Sequence, residues 1–224
     1  MRHDRIETLT SATNTNGETC LTELRSAVGK MHQGLDQSDA DELILVDASD
    51  HEIGHLSKAA CHTGAGVLHR AFSLFIFNGR DELLVQQRSA HKRLWPDHWS
   101  NSCCSHPRSG ESMTTAIHRR LMEELGLRCS LDFLFKFQYQ AQYDAAGAEH
   151  ELCSVFFGRT TTPVHANRDE IAAWRWVALP DLQAELDSGA DRYTPWFKLE
   201  WEQIRRDHLE DILTSGGMRA WAFR

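Results

Sequence analysis

An α/β sandwich with a mixed sheet is the architecture this sequence predicts, on three observations. β-Branched and aromatic runs recur through the middle of the chain, a strongly amphipathic helix interrupts them, and strands and helices do not alternate with the regularity of βαβ units. A chain of 224 residues, 41% hydrophobic and 25% charged, has apolar material for one full core. A single domain is therefore expected over residues 41–224. Residues 1–40, rich in Thr, Ser, Asn, Asp and Gly without periodicity, read as a mobile N-terminal extension.

From Glu42, ELILVD reads as a short strand, DASDHEIG as a turn, and VLHRAFSLFIFN as a long strand closed by Asn78-Gly79, with ELLVQQR as its hairpin partner. A loop through Trp95-Pro96 leads to WSNSCCSH, a brief strand that must end by Pro107. Ser112 to Gly126 is a helix: Ile117, Leu121 and Leu125 recur at i, i+4 and i+8, and Gly126 is a stop signal. LDFLFKFQYQAQY and ELCSVFFGRT read as strands joined by a turn over DAAGAEH. WRWVAL is a further strand before a helix opening at Pro180-Asp181, and Pro195 to Leu213 is a terminal amphipathic helix.

Composition narrows the function classes. No run approaches the ~20 apolar residues of a membrane span, and no secretory h-region opens the chain, so a soluble, cytoplasmic protein is expected with no membrane partner. The cysteines (Cys20, Cys61, Cys103, Cys104, Cys129, Cys153) form no CxxC pair and read as free thiols. A net charge of −8 argues against nucleic acid. The chain also holds thirteen histidines, and imidazole serves both as metal ligand and as proton carrier near neutral pH.

The Ser112–Gly126 helix carries the first motif. Glu111, Arg119, Glu123, Glu124 and Gly126 resemble the Nudix box, whose helical glutamates hold divalent cations against a diphosphate. Two positions depart from it: Ser105 stands where the box begins with Gly, and Arg120 stands where a glutamate follows the arginine. Losing that carboxylate removes a metal ligand of the Nudix hydrolases. KAACHTGAGVLHRAF, RSAHKRLWPDHWSNSCCSHP, the box helix, FQYQAQY, AEHELC and TPW then follow in an order that resembles the type 1 isopentenyl-diphosphate delta-isomerases, over roughly residues 42 to 205.

That resemblance implies a Nudix-type α/β/α sandwich. It also implies interconversion of isopentenyl and dimethylallyl diphosphate, by protonation and deprotonation through a carbocation-like intermediate, in isoprenoid precursor biosynthesis. The family's first metal site falls on His62, His69, His106, Glu149 and Glu151. Three imidazoles and two carboxylates suit Mn²⁺ or Mg²⁺, and Zn²⁺ can also occupy such a set. Glu124 matches the ligand of a second, substrate-bridging Mg²⁺. Lys58, Arg88, Lys92 and Arg120 match the diphosphate-contacting positions, Cys104 and Glu151 the acid/base pair, Tyr139 its helper, and Trp196 the ring facing the cation. The pattern of alternate residues agrees: on extended backbone Cys104 and His106 share a face and Cys103 points away, and Glu149 and Glu151 share a face with His150 opposite. His62 and His69 converge only if the loop holding Gly64 and Gly66 folds back. Two rival readings are a Nudix hydrolase using Glu111, Glu123 and Glu124, and a metal-binding module without turnover.

Overall fold

The computed structural model describes residues 41–215. The expected N-terminal extension lies outside the described residues, as does the tail beyond 215. Strands β1 (Glu42–Val46), β2 (Glu52–Ser57), β3 (His69–Phe77), β4 (Leu83–Arg88), β5 (Trp99–Ser100), β6 (Cys103–Ser105), β7 (Leu131–Asp144), β8 (Gly147–Arg159) and β9 (Ile171–Val177) form a mixed sheet. Helices α1 (Lys58–Cys61), α2 (Met113–Leu125), α3 (Leu179–Gly189), α4 (Pro195–Asp207) and α5 (Leu209–Ser215), with a 3-10 turn over Ala190–Arg192, complete the described part.

β3 is the spine. It runs parallel to β8 from His69↔Glu151 to Phe77↔Arg159, and antiparallel to β6 through Ser73↔Cys104 and Leu74↔Cys103. Side chains alternate along a strand, so β3 divides its residues between two cores. Phe72, Leu74 and Ile76 meet Cys103 and the Ile117, Leu121 and Leu125 stripe of α2. Ala71, Phe75 and Phe77 meet Leu182 of α3, Trp196, Phe197, Trp201 and Ile204 of α4, and Ile212 of α5. Helices thus cover both faces, the three-layer arrangement expected of the sequence. α2 starts where Ser112 accepts from the Thr115 amide and stops at Gly126.

Three expectations need correction. Glu52–Gly54 belongs to strand β2 and not to a turn, because Asp47 alone closes the turn by accepting the Ser49 and His51 amides. The β7–β8 turn is confined to the residues just before Gly147, so Ala148 to His150 are strand. The terminal helix is two helices, broken at His208, whose ring stacks on Phe135 at a centroid distance of 5.3 Å.

Candidate active site

The site forms where the amino ends of β3 and of the paired β8 segment meet the end of β6. Pairing of His69 with Glu151 fixes two side chains, and alternation along β8 places Glu149 on the same face. His106 follows β6 directly and its Nε2 reaches Glu151 Oε1 at 2.8 Å. His62 caps the one-turn helix α1, and the chain then doubles back through Gly64 and Gly66, as their spacing between two histidines required. Gly147 makes the return possible. A Cβ there would stand 1.9 Å from the His62 carbonyl oxygen, which instead accepts the Ala148 amide at 3.1 Å.

These residues bring five donor atoms, one each from His62, His69, His106, Glu149 and Glu151, within 4.8 Å of one another. The three imidazole centroids lie 4.8–5.3 Å apart. Nδ1 of His62 bonds to the Lys58 carbonyl at 2.6 Å and Nδ1 of His69 to the Val67 carbonyl at 2.7 Å. That leaves their Nε2 atoms facing the cluster, the arrangement that orients metal-ligating histidines. His62 Nε2 stands 2.8 Å from Glu149 Oε2, yet Glu149 Oε2 and His69 Nε2 are buried with no hydrogen-bond partner. Orphaned buried atoms of this kind are costly, and a divalent cation would satisfy both. The five residues therefore fit a metal.

Electrostatics within the cluster is strained without a cation. Burial and the neighbouring imidazoles push His69 down to about 3, and burial with His62 holds His106 well below the usual imidazole range. Burial and the charge of Glu149 raise Glu151 to about 7, whereas His62 overcomes burial and holds Glu149 far below the usual carboxylate range.

Next to this cluster lies a buried wall. Tyr139 donates to Glu151 Oε2 at 2.8 Å, and its ring lies 6.2 Å from that of Trp196. Trp196 Nε1 donates to Cys104 Sγ at 3.2 Å, and Cys104 donates to Asn101 Oδ1 at 2.7 Å. Burial, then the charge of Glu200, pushes the Cys104 thiol well up, so it holds its proton at neutral pH. Cys103 points away into the α2 core, fully buried, as strand alternation demands.

Of the cationic residues, Arg88, Lys92 and Arg120 are engaged by other groups of the chain. Arg88 donates to the Leu94 and Trp95 carbonyls and lies over the Trp196 ring at 5.3 Å. Lys92 pairs with Glu170. Arg120 contacts Glu124 at 2.5 Å, Glu123 at 2.9 Å and Glu170 at 3.1 Å. Lys58 lines a small cleft with His106, Arg119 and Arg120. Glu124 is turned to Arg120 and Gln86 and is not among the five clustered donors. Glu111 and Glu123, the carboxylates a hydrolase would use, are tied to Arg119.

Sequence reasoning missed two residues here. Asn101 is fully buried and held by the Leu74 and Cys103 carbonyls, so its Oδ1 faces the Cys104 thiol. Its position in WSNSCC, three residues before the thiol, was the available signal. Glu170 bridges Lys92 and Arg120, which overcome its burial and hold it down at about 2. It sits in a polar loop segment, NRDE, which carries no signal of that contact.

A NUDIX domain matches residues 67–197. The isopentenyl-diphosphate Delta-isomerase 1 of Photorhabdus laumondii is 42% identical over 77% of this chain and 99% of its own length. The corresponding Aromatoleum aromaticum protein is 44% identical over 76% of this chain and 96% of its own. The chain belongs to the isopentenyl-diphosphate Delta-isomerase family. Membership of this family makes it an isomerase. Similarity of fold extends more widely, to a solved Deinococcus radiodurans structure (TM-score 0.55, 23% identity, 66% of this chain and 90% of that one). It reaches the MutT protein of Methanosarcina mazei as well (TM-score 0.52, 19% identity, 62% of this chain and 94% of that one).

Proposed function

We propose that the chain interconverts isopentenyl diphosphate and dimethylallyl diphosphate in isoprenoid precursor biosynthesis, in the cytoplasm, through a single domain beginning at residue 41. Family membership supports the reaction. The observation that carries the chemistry is the line of contacts from Cys104 through Trp196 and Tyr139 to Glu151, which sets a proton-holding thiol and a carboxyl at opposite ends of an aromatic wall.

Moving a double bond by one carbon needs a proton delivered to one carbon and another removed from a neighbour. Cys104, which keeps its proton at neutral pH, and Glu151 are the two exchanging groups, with Tyr139 donating to the Glu151 carboxylate. Trp196 stabilises the intermediate positive charge with its π face and cannot capture it as a nucleophile would. Its edge is fixed by the Ser100 hydroxyl and the Cys104 sulfur, and Trp95 packs against its ring at 5.3 Å.

His62, His69, His106, Glu149 and Glu151 would hold Mg²⁺ or Mn²⁺, with Zn²⁺ also suited to the donors, and Glu124 would hold a second Mg²⁺ against the diphosphate. A bound cation supplies positive charge that keeps Glu149 and Glu151 ionised and neutralises the diphosphate. Lys58, Arg88, Lys92 and Arg120 contact the diphosphate oxygens, for which Lys92 exchanges Glu170, and Arg120 the carboxylates of Glu123, Glu124 and Glu170. The test is incubation with isopentenyl diphosphate and Mg²⁺ in deuterated water, followed by proton NMR. Dimethylallyl diphosphate carrying carbon-bound deuterium is expected. Release of inorganic phosphate in place of isomerisation would assign the site to hydrolysis.

A further inference from the structure

The reaction leaves one buried acid unused. Glu200 projects from α4 one helical turn after Trp196, with no solvent exposure, onto the sheet face that carries Cys104. Its Oε1 is 3.5 Å from Cys153 Sγ, Cys153 Sγ is 3.5 Å from Ser73 Oγ, and Ser73 Oγ is 3.5 Å from Cys104 Sγ. Its Oε2 has no hydrogen-bond partner. A carboxyl buried behind the reacting thiol, on a helix otherwise packed by Trp, Phe and Ile, costs stability unless it is fully hydrogen-bonded or paired, and one oxygen of Glu200 is not.

We propose, on the reading of the site as an isomerase, that Glu200 is a positioning residue, which in its neutral form orders the Ser73 hydroxyl and so aims the Cys104 thiol at the substrate.

Hydrogen counting gives the reason. Ser73 has one hydroxyl hydrogen. A neutral Glu200 carboxyl brings a hydrogen of its own to the Ser73–Cys153 group, leaving the Ser73 hydrogen for the Cys104 sulfur. That sulfur then accepts from Ser73 and from Trp196 Nε1, while its own hydrogen rests on Asn101 Oδ1. An ionised Glu200 can only accept. It would hold the hydrogen of the Ser73 hydroxyl, which is itself hydrogen-bonded to Glu200, as well as that of the Cys153 thiol, turn a lone pair of Ser73 toward the Cys104 sulfur and release that thiol from its fixed orientation. The surroundings favour the neutral form. The titratable groups facing Glu200 are Cys153 and Glu151 from β8, Cys104 from β6 and Tyr139 from β7. Burial, with the charge of Glu151, raises Glu200 to about 8.

The experiment compares wild type, Glu200→Leu, Glu200→Gln and Ser73→Ala with isopentenyl diphosphate and Mg²⁺, reading kcat and KM from pH 6 to about pH 9.5. Wild-type turnover tests the isomerase reading by itself, and a wild type that does not isomerise overturns both. With wild type active, Glu200→Leu is expected to lose roughly 10–100-fold in kcat with KM nearly unchanged, because the thiol is misaimed and binding is untouched. Glu200→Gln, neutral with both a donor and an acceptor, is expected to restore kcat to within about threefold at pH 7. It should also lose less of its kcat at alkaline pH than wild type does. Wild-type kcat in Glu200→Leu, or an alkaline limb identical in wild type and Glu200→Gln, overturns the proposal. If Glu200→Leu does not fold, Ser73→Ala reads the same path: a fall in kcat at constant KM supports it, and an unchanged kcat overturns it.

Discussion

Adjacent cysteines with opposite fates test the site at the scale of single residues. Cys104→Ala should lower turnover by ~10²–10⁴ as the loss of a general acid or base, with fold and metal content kept. Cys103→Ala, emptying space between β3 and α2, should cost about 1–2 kcal/mol of stability with turnover largely kept. Kinetics and melting temperatures of the two variants decide it, and a dead Cys103→Ala with an active Cys104→Ala would reverse the strand register behind both assignments. His106→Ala and Glu149→Gln should each lower bound metal, measured by elemental analysis after dialysis, because each removes one of five donors. An unchanged metal content in both variants would remove the cluster as the metal site. The clustering of three His and two Glu side chains was legible in the sequence through the family resemblance, and the structure brings those five residues together. Glu200 and Glu170 were not legible there. A glutamate in an amphipathic helix and one in a polar loop both read as solvated, and only tertiary placement makes the first a buried acid and the second a bridge between Lys92 and Arg120.

Elements place these residues through backbone contacts that a side-chain pattern does not record. The long strands and the α2 helix were readable because burial on one or two faces imposes a period on the sequence. β2 escaped because it is an edge strand with little burial, where Ile53 is exposed and Gly54 and the preceding Asp and Ser residues give turn signals. The break at His208 escaped because no Pro or Gly marks it. Gly147 shows what such contacts are worth. Its φ is +147° and the His62 carbonyl occupies the space of a side chain, so Gly147→Ala must push α1 and its histidine away from β8. The expected result is a loss of more than ~1 kcal/mol in stability together with weakened metal binding, although residue 147 bears no ligand. Normal metal affinity in a folded Gly147→Ala protein would mean that His62 does not depend on this approach.

For the whole molecule, the site should appear as a pH dependence of stability. Glu200 is fully buried, and its folded pKa of about 8 lies above the 4.5 of an ordinary glutamate. Between those values the folded protein binds a proton that the unfolded chain releases. Stability should therefore fall as pH rises through this window and level off above it. The steepest contribution is about 1.4 kcal/mol per pH unit. Carboxylates with the opposite shift do not obscure it: Glu170 and Glu185, both held at about 2, contribute stability that is present above the ordinary glutamate value and is lost only as pH falls toward 2. Glu151, raised to about 7, moves in the same direction as Glu200 but is common to wild type and variant. The difference between wild type and Glu200→Gln isolates one group. Urea unfolding at a series of pH values from 5 to about 9 should show the variant gaining on the wild type with each unit, by up to about 1.4 kcal/mol per unit until pH 8. Parallel curves would mean that Glu200 is ionised throughout this range. The acid behind the thiol would then be a fixed charge, and its role in aiming Cys104 would fall.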